Sequence, residues 1–493
     1  MICKSSSPGG DLDTNPHNLL EFGWWQSGQT PFGFGAYNKA AEVSQELLTY
    51  EGDGHLLTVA PTGCGKGRDV ITPTLLTSRR SMIVLDVKGE LYSVTARRRR
   101  EMGHHVIGID PFNIVLEQSD GLNPFDLLKL PGADIESDAC MLASMLATGN
   151  TSSRDRFWDL HGTGLLSGLI AHFGGYAKED ERHLLSVRDI LLNDDPMYAV
   201  AVLADKMKAM KEKSEMAYRE ICGFLNQAER DTRPSVLATT TSYLKPFGSD
   251  QVADAVSQSS FNLQDVIDGK PLTIYLIFPV EKLGSHAGLL RILLGTLMTT
   301  VLRRRFKPLT RTLFVLDECA QLGHFDLLKP AVTLLRGFGM QCWLFFQSLH
   351  QLKSEYPNDW RTILDNMAVV QTFGFNNRLM ADDWGNFFGE DPDTLMDIGQ
   401  DEQWIHLPGS KVIRAKRFNY LRDKRFHDMF DKNPLCELRP EETPIDDPSE
   451  KLKPHLNSLD CTRPAAGPSN NGKSEPGKGD LGQRLNGSEP PNA

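Results

Sequence analysis

One short stretch of the chain carries residues that can hold a phosphate. Pro61-Thr62-Gly63-Cys64-Gly65-Lys66-Gly67 follows an apolar, strand-like run and precedes a helical pattern from Val70. Glycines let successive backbone N–H groups curl around a phosphate, a helix N-terminus adds partial positive charge, and a lysine bridges the outer phosphates. The stretch therefore predicts a nucleotide-binding loop formed by Thr62, Gly63, Cys64, Gly65, Lys66, Gly67 and Arg68.

Two positions of this loop differ from the usual phosphate-loop pattern. Ala60 stands where the first glycine is expected, and Gly67 replaces the Ser or Thr whose hydroxyl contacts Mg²⁺. Losing one ligand need not abolish binding, since Mg²⁺ retains several waters and takes few protein ligands. The alternative is an ordinary glycine turn after a strand. The spacing of Lys66 and an acidic strand downstream favour the nucleotide site.

A second candidate group follows two later apolar runs. Thr312–Glu318 ends in Asp317 and Glu318, which fit the acid that holds Mg²⁺ through water and the acid that polarises the attacking water. The alternative for this pair is a solvated strand end. Gln347 ends the next run and can sense the γ-phosphate or orient the water, although a polar strand cap explains it equally well.

Arg336 is a candidate of a different kind. It follows a helical stretch from about Phe325 to Leu335, and ten helical residues span roughly 15 Å, so it can hardly serve its own site. It can project into the site of a neighbouring copy as an arginine finger, which implies a ring. The alternative is a helix-end arginine favoured by the helix dipole.

The elements that must position these residues alternate between short apolar strands and longer helical patterns. This alternation is typical of an α/β fold with a mostly parallel sheet. The predicted strands are 55–60, 81–87, 105–110, 272–278, 312–318, 341–347 and 368–375. The alternation stops between about 130 and 243, where apolar residues recur at helical spacing. We therefore predict an α/β nucleotide-binding domain, residues 19–129 and 244–447, interrupted by an inserted all-helical domain, residues 130–243.

Composition limits the class of protein. The 493 residues exceed the size of a single core, and a net charge of −11 argues against a surface that binds nucleic acid everywhere. No apolar run is long enough to cross a bilayer, and eight scattered cysteines are typical of reduced thiols, so we expect a cytosolic protein. Residues 1–18 and 448–493 are polar and turn-rich, which predicts disordered ends.

With these motifs in place, the chain resembles the type IV secretion coupling proteins, the TraG-type conjugative DNA-transfer ATPases, over roughly Pro31 to Phe430. The family's phosphate loop ends in Gly-Lys-Gly, as at Gly65-Lys66-Gly67 here. Further matching stretches are ITPTLL (71–76), LDVKGELY (85–92), NPFDLL (123–128), LDECAQLG (316–323), QSLHQL (347–352), ILDN (363–366) and TFGFNN (372–377).

The resemblance implies a RecA-like motor domain that uses ATP and Mg²⁺ and assembles as a homo-hexamer, with a monomer as the alternative when nucleotide and DNA are absent. It implies that single-stranded DNA with its attached relaxase is the cargo and that secretion-channel components are the partners. Arg336 occupies the family's arginine position. Two features depart from the family. The chain has no pair of membrane-spanning helices, and the longer serine-containing segment that the family usually carries before its D-E-Q stretch is expected to be deleted, since only 378–400 separate TFGFNN from Asp401-Glu402-Gln403.

Several basic and aromatic groups are candidate DNA contacts with ordinary alternatives. Arg97–Arg100 can neutralise phosphates, but such a run is more often a solvated helix face. Arg303–Arg305 and the group Lys411, Arg414, Lys416 and Arg417 have the same two interpretations. Trp24, Trp25, Phe32 and Phe34 can stack on bases, although packing is the more frequent role of such residues.

Three functions fit these observations. The first is an ATP-driven translocase that couples relaxase-bound DNA to a secretion machine. The second is a nucleotide-gated adaptor that recruits protein effectors with little hydrolysis, against which the presence of both acidic residues counts. The third is a related chromosome-partitioning or viral DNA-packaging translocase, which should lack NPFDLL and TFGFNN.

Overall fold

The computed structural model describes residues 2–3, 18–27, 44–147 and 156–436. The ends predicted to be disordered, 1–18 and 448–493, lie outside these ranges except for Ile2, Cys3 and Asn18, so that expectation stays a prediction. Phe32 and Phe34 also lie outside the described residues.

Twelve described strands form one sheet. They are β1 (Ile2–Cys3), β2 (Leu20–Ser27), β3 (Ser44–Tyr50), β4 (His55–Val59), β5 (Ser81–Asp86), β6 (His105–Ile109), β7 (Leu272–Ile277), β8 (Thr312–Leu316), β9 (Met340–Phe346), β10 (Met367–Thr372), β11 (Glu402–His406) and β12 (Ile413–Lys416). Their order across the sheet is β1-β3-β2-β12-β11-β10-β4-β9-β8-β5-β7-β6.

The sheet has a parallel part and an antiparallel extension. The neighbours from β10 through β4, β9, β8, β5 and β7 to β6 are all parallel. Their carboxyl ends consequently lie along one edge of the sheet, which is where open α/β sheets bind ligands. β11, β12 and β2 extend the sheet beyond β10 with antiparallel pairing.

The seven predicted strands are confirmed, with ends shifted by no more than three residues. All seven belong to the parallel part, whose strands are buried on both faces and therefore appear in the sequence as continuous apolar runs. Strands β2, β3, β11 and β12 were not predicted. Their apolar residues are interspersed with polar ones, as in β12, where Ala415 is buried between two exposed cations.

Seventeen α-helices surround the sheet in the described ranges. They are α1 (Thr72–Thr77), α2 (Glu90–Glu101), α3 (Ile135–Leu146), α4 (Arg156–Gly175), α5 (Leu184–Leu191), α6 (Pro196–Ala209), α7 (Glu215–Leu225), α8 (Thr232–Leu244), α9 (Asp250–Ser257), α10 (Leu263–Asp268), α11 (Val280–Leu283), α12 (Ala287–Leu302), α13 (Leu328–Leu334), α14 (Leu349–Glu355), α15 (Trp360–Asp365), α16 (Arg378–Phe388) and α17 (Pro392–Met396). None of them combines the length and apolar content needed to cross a bilayer.

Within the described residues, the chain between β6 and β7 forms helices and loops but no strand. We call α3–α10, residues 135–268, the helical region; it continues past the predicted boundary at 243 through α9 and α10. Its apolar residues share one hydrophobic cluster with α12 and with one face of the parallel strands. A second cluster, which includes α1 residues, covers the other face. The helical region therefore packs directly on one face of the parallel sheet, which includes β8, the strand that precedes Asp317 and Glu318.

Buried side-chain hydrogen bonds tie the antiparallel extension to the strand that carries the phosphate loop. Thr58 Oγ1 on β4 donates to Gln371 Oε1 on β10 at 2.6 Å, and Gln371 Nε2 donates to Gln403 Oε1 on β11. Gln403 Nε2 reaches the Phe22 carbonyl of β2. Buried polar groups need partners, so this chain of bonds fixes which residues of these strands lie side by side.

Candidate nucleotide-binding site

The phosphate loop lies at the carboxyl end of β4, between the ends of β10 and β9. Gly63 and Gly65 have φ values of +81° and +96°, the left-handed region that favours glycine. At Gly65 a Cβ atom would also lie 2.5 Å from Asp69 Oδ2. Both the backbone conformation and the space therefore require glycine at position 65.

The loop leads directly into a helix. Lys66–Ile71 form a π-helical turn that continues into α1, and the Asp69 N–H donates to the Gly65 carbonyl at 2.7 Å. Thr62 and Gly63 are exposed at the front of the loop, so their backbone N–H groups are accessible to a ligand. Backbone donors and a helix N-terminus at one place form an anion-binding site.

Lys66 points its ammonium group along the loop and is only 7% exposed. Its Nζ donates to the Ala60 carbonyl at 2.9 Å and lies 3.7 Å from Glu318 Oε1. An ammonium has three N–H donors, so the bond to Ala60 leaves others for phosphate oxygens. The acceptor is a backbone carbonyl, so this bond does not depend on whether residue 60 is alanine or the usual glycine.

The acidic pair meets the loop from the next-but-one strand. Asp317 and Glu318 follow the end of β8, and Gln347 follows the end of β9, which lies between β8 and β4. Gln347 Nε2 donates to Glu318 Oε2 at 2.8 Å. The structure thus brings Lys66, Asp317, Glu318 and Gln347 together, as the sequence predicts.

Glu318 has an unusual backbone conformation. Its φ of +51° and ψ of +46° lie in the left-handed region, which costs a non-glycine residue roughly 1–2 kcal/mol. Strained residues of this kind cluster at functional sites, where the surrounding structure over-determines them. Here the conformation starts the turn that presents the carboxylate to Lys66 and Gln347.

Two carboxyl groups at the carboxyl ends of the parallel strands have raised pKa values and different surroundings. Burial, together with the neighbouring Glu318 charge, raises the pKa of Asp317 to about 7, against the opposing effect of Lys66. Burial also raises the pKa of Asp86 to about 6. The Asp86 carboxylate accepts the Tyr92 N–H at 2.8 Å, so it holds the start of α2 rather than facing a ligand.

A magnesium ion is compatible with this set of side chains. Asp317 supplies a carboxylate oxygen, the type of ligand that Mg²⁺ prefers, close enough to Lys66 for the lysine's charge to act on it. A Cβ atom at Gly67 would meet nothing within 4 Å, so the place of the missing hydroxyl is open and water molecules could complete the shell. Asp317 is thus predicted to hold the ion through water.

Arg417 is a site residue that the sequence did not single out. It follows β12 and is 5% exposed, and its guanidinium lies 4.0 Å from the centre of the Phe373 ring. It donates to the Cys64 carbonyl of the phosphate loop at 2.7 Å and pairs with Asp69 at the same distance. Asp69 in turn pairs with Arg68, the exposed end of this chain of charges.

The signal for Arg417 was present but had another interpretation. Lys411, Arg414, Lys416 and Arg417 formed a candidate DNA-binding cluster, but in the structure Arg414 pairs with Glu402 and Lys416 with Asp401. The Asp401-Glu402-Gln403 stretch therefore forms ion pairs and hydrogen bonds within the antiparallel extension, which in turn contacts the phosphate loop through Arg417. No local pattern distinguishes Arg417, because its partners in the phosphate loop and its helix, Cys64 and Asp69, lie over 300 residues away in the chain.

Arg336 lies far from the acidic pair of its own chain. It sits in a short 3₁₀ turn, Leu335–Phe338, immediately before β9, and its Nη2 donates to Asn366 Oδ1 at 3.4 Å just before β10. Gln347 lies at the other end of β9, and a seven-residue strand spans roughly 23 Å. Arg336 is therefore at the amino edge of the sheet and Lys66 at the carboxyl edge.

The Arg97–Arg100 run is a helix face that is only partly solvated. Arg99 is fully buried and bonds to Thr273 Oγ1 at 2.8 Å, and burial lowers its pKa to about 10. Arg97 pairs with Asp431 and Glu101, and Arg98 with Glu101. Arg99 thus joins α2 to β7 and Arg97 joins α2 to the chain near 430, so helix-face solvation is wrong for Arg99 but not for the exposed Arg100.

Among the other candidate DNA contacts, Arg305 and Lys411 are exposed, whereas Arg303, Arg304, Trp24 and Trp25 are used within the chain. Arg303 pairs with Asp138, and Arg304 is buried and bonds to the Val266 carbonyl at 2.7 Å. Trp24 packs edge-on against Phe418, and Trp25 packs against the second hydrophobic cluster. Packing is therefore the observed role of both tryptophans.

Comparison with known proteins gives a family match. The profile of the family described as "Type IV secretory system Conjugative DNA transfer" matches residues 23–385. The chain is 27% identical over 377 residues to the conjugal transfer protein TraG of Rhizobium radiobacter, which covers 75% of this chain and 57% of that protein. It is 25% identical over 429 residues to the type IV secretion system-coupling protein VirD4 of Bartonella quintana, covering 78% and 66%.

Solved structures resemble this fold as well. The plasmid coupling protein TrwB in complex with ADP and Mg²⁺ superposes with a TM-score of 0.57 at 15% identity, covering 74% of this chain and 85% of that one. TrwB with the GTP analogue GDPNP gives 0.56, also at 15% identity, covering 73% and 85%. The α/β fold with a RecA-like, mostly parallel sheet is thus confirmed. The chain spans about 57% of the length of the TraG proteins it matches.

Proposed function

Since the chain belongs to the type IV secretory system conjugative DNA transfer family, we propose that it is an ATP-hydrolysing coupling protein. In this proposal it recruits single-stranded DNA with its attached relaxase and drives it into a secretion channel. One observation carries the proposal: at the carboxyl edge of the sheet, Glu318 lies within ion-pair distance of Lys66 and within hydrogen-bond distance of Gln347.

Each side chain has a chemical task in the proposed reaction. Lys66 and the backbone N–H groups of Thr62–Gly67 neutralise the phosphates of a nucleoside triphosphate. Glu318 accepts a hydrogen bond from the attacking water, and Gln347 fixes the orientation of that carboxylate through its 2.8 Å bond. Mg²⁺, held by Asp317 through water, would supply charge neutralisation at the phosphates. The TrwB complexes contain a nucleotide, in one case with Mg²⁺, which supports the same cofactors here.

The reaction also needs a positive charge at the transition state, and we propose that it comes from a second copy of the chain. Arg336 is at the opposite sheet edge and cannot reach its own Glu318, so in a homo-hexamer it would enter the site of a neighbour as an arginine finger. We propose that the protein works on the cytoplasmic side of the inner membrane and that a secretion-system partner holds it there.

The decisive experiment measures ATP hydrolysis against protein concentration, with and without single-stranded DNA. We expect specific activity to rise with concentration, as ring assembly completes each site, and to rise further with DNA. Lys66→Ala should lower the rate at least about 100-fold, the loss typical for removing one preorganised charge from a transition state. Lys282→Ala removes an exposed lysine outside the site and should leave the rate unchanged.

Two outcomes would contradict the proposal. Hydrolysis that survives Lys66→Ala would mean that another protein, or another site, performs the reaction. Nucleotide binding with negligible turnover at every concentration, combined with capture of protein effectors but not DNA, would favour the adaptor instead.

A further inference from the structure

A single buried arginine connects the acidic turn to the helical region. We define the acidic turn as Asp317–Gly323, the segment that begins with the acidic pair and contains the 3₁₀ turn Cys319–Leu322. Arg291 lies on α12, a helix whose residues Gly288–Val301 are all buried, and it is itself 6% exposed. Its guanidinium is positioned between the two segments.

The hydrogen bonds of Arg291 divide between these segments. Its Nη1 donates to the carbonyl of Leu322, the last residue of the 3₁₀ turn, at 3.1 Å. Its Nε and Nη2 donate to the carbonyls of Met145 and Ala147 at 3.0 and 3.3 Å. Those carbonyls end α3, where the last four C=O groups of a helix lack intrahelical partners and the dipole favours a cation.

The Asp326 carboxylate attracts the charge on Arg291 only from a distance. Within the described residues Arg291 forms no ion pair at 4.0 Å or less, and burial lowers its pKa. Burying a guanidinium without a counter-charge is costly unless its donors are satisfied. All three bonds go to backbone carbonyls, so the cost is offset only while the turn and α3 both keep their places.

A cavity of about 150 Å³ beside Arg291 leaves room for these segments to move relative to each other. One side of the cavity is lined by Ser144, Met145 and Ala147 at the end of α3, and the other by His324–Leu327, which follow the acidic turn. Interiors are otherwise close-packed and shift poorly. The hydrogen bonds of Arg291 to Leu322 and to the end of α3 therefore lie beside a cavity, where close packing does not hold the two segments together.

We propose that Arg291 is a positioning residue that couples the acidic turn to the helical region. When a nucleotide and water change the position of Glu318, the Leu322 carbonyl at the end of the same short turn shifts with it. Arg291 must then either move the end of α3 or lose a bond. This inference deepens the proposed function, on which it rests, by naming the path from the hydrolysis site to the helices.

The test compares two buried arginines. Arg304 has the same character as Arg291: it is 2% exposed, and it donates to backbone carbonyls, including Val266 and Ile267. It contacts neither the acidic turn nor α3. Arg291→Met and Arg304→Met therefore remove comparable buried hydrogen bonds, and only the first removes the bridge.

Hydrogen exchange should be measured with and without Mg²⁺ and the slowly hydrolysed analogue ATPγS. In the wild type and in Arg304→Met, we expect protection changes both in residues 66–77 and in residues 135–147. In Arg291→Met, residues 66–77 should still respond, whereas residues 135–147 should not. The ratio of DNA-stimulated to basal hydrolysis should fall to about one, with basal hydrolysis retained.

The possible failures are distinguishable. If residues 66–77 of the wild type do not respond to nucleotide, the proposed function fails. If they respond and residues 135–147 of Arg291→Met still change as in the wild type, the coupling role is overturned. Should Arg291→Met not fold, Arg291→Lys keeps the charge, but its compact ammonium lacks the planar fork of donors. That variant must then show the same loss, or the coupling role is rejected.

Discussion

The two edges of the parallel sheet differ in what they bury. The carboxyl edge holds the phosphate loop and two carboxyl groups, Asp86 and Asp317, whose pKa values burial raises to about 6 and about 7. The amino edge buries histidines near arginines: desolvation, and secondarily Arg336, lower the pKa of His55 to about 4. Desolvation and Arg99 do the same to His104, also to about 4.

This difference underlies the proposed division, in which the carboxyl edge binds the nucleotide and the amino edge supplies an arginine to a second copy. The carboxyl edge combines a lysine, two acids and an amide, and its buried arginine, Arg417, is engaged with the phosphate loop and Asp69. The amino edge carries Arg336 with only a 3.4 Å bond to Asn366. A parallel sheet keeps its own two edges apart, so in the proposed hexamer the amino edge of a second copy would supply Arg336 to this site.

The largest expected effect tests this division directly. Arg336→Ala should lower hydrolysis about 10³-fold or more, as loss of an arginine finger does, while nucleotide binding stays within a few fold. Glu318→Gln should be equally inactive. Mixing the two inactive variants should restore activity, because some sites then combine an intact Glu318 with an intact Arg336 from a neighbour. The measurement is the ATPase rate of the mixture against each variant alone.

Arg361→Ala is the matched control, since Arg361 lies on α15 just before Asn366 and contacts only the neighbouring Trp360 ring among the interactions described. It should hydrolyse ATP at the wild-type rate. If the mixture of Arg336→Ala and Glu318→Gln stays inactive although the two variants co-assemble, Arg336 does not act in a neighbour's site.

A smaller effect sharpens the contrast in pKa values. The amino-edge histidines are neutral in the folded chain but titrate near 6.5 when unfolded, so the unfolded state binds more protons between pH 6.5 and 4. The free energy of unfolding should therefore fall as pH falls through this window, on the order of 2 kcal/mol for each histidine. Denaturant unfolding at pH 7 and pH 4.5 measures the loss.

The double variant His55→Gln, His104→Gln should lose less stability than the wild type over that window, because glutamine does not titrate. Asp86 has the opposite sign: its raised pKa costs stability as pH rises from about 4 to 6. Equal acid sensitivity of the wild type and the double variant would show that the two histidines are not buried neutral.

The smallest effect concerns the phosphate loop itself. Gly67→Ser restores the usual hydroxyl at a position where a Cβ atom meets nothing within 4 Å, so we expect normal folding and a change in Mg²⁺-dependent nucleotide affinity of no more than a few fold. Gly65→Ala is the contrasting variant, because its Cβ would lie 2.5 Å from Asp69. Titration with a fluorescent ATP analogue should separate them; similar losses in both would contradict the difference in space.

The residues of the carboxyl edge could be predicted because each one follows a continuous apolar run. Strands buried on both faces appear in the sequence as continuous apolar runs, and the carboxyl ends of parallel strands lie at one edge of the sheet. Lys66, Asp317, Glu318 and Gln347 were therefore identified together. The antiparallel strands β2, β3, β11 and β12 show no such runs, since polar residues interrupt their buried positions.

By itself, then, the sequence determined the fold class, the seven parallel strands and the four side chains at their ends, because local spacing and hydrophobicity encode them. Tertiary structure alone decided which arginines are surface charges and which are buried supports. Arg99, Arg291 and Arg417 are buried on carbonyls, hydroxyls or a distant carboxylate. An arginine in a sequence looks the same in water and in a core, since only the distant partners that satisfy its donors distinguish the two.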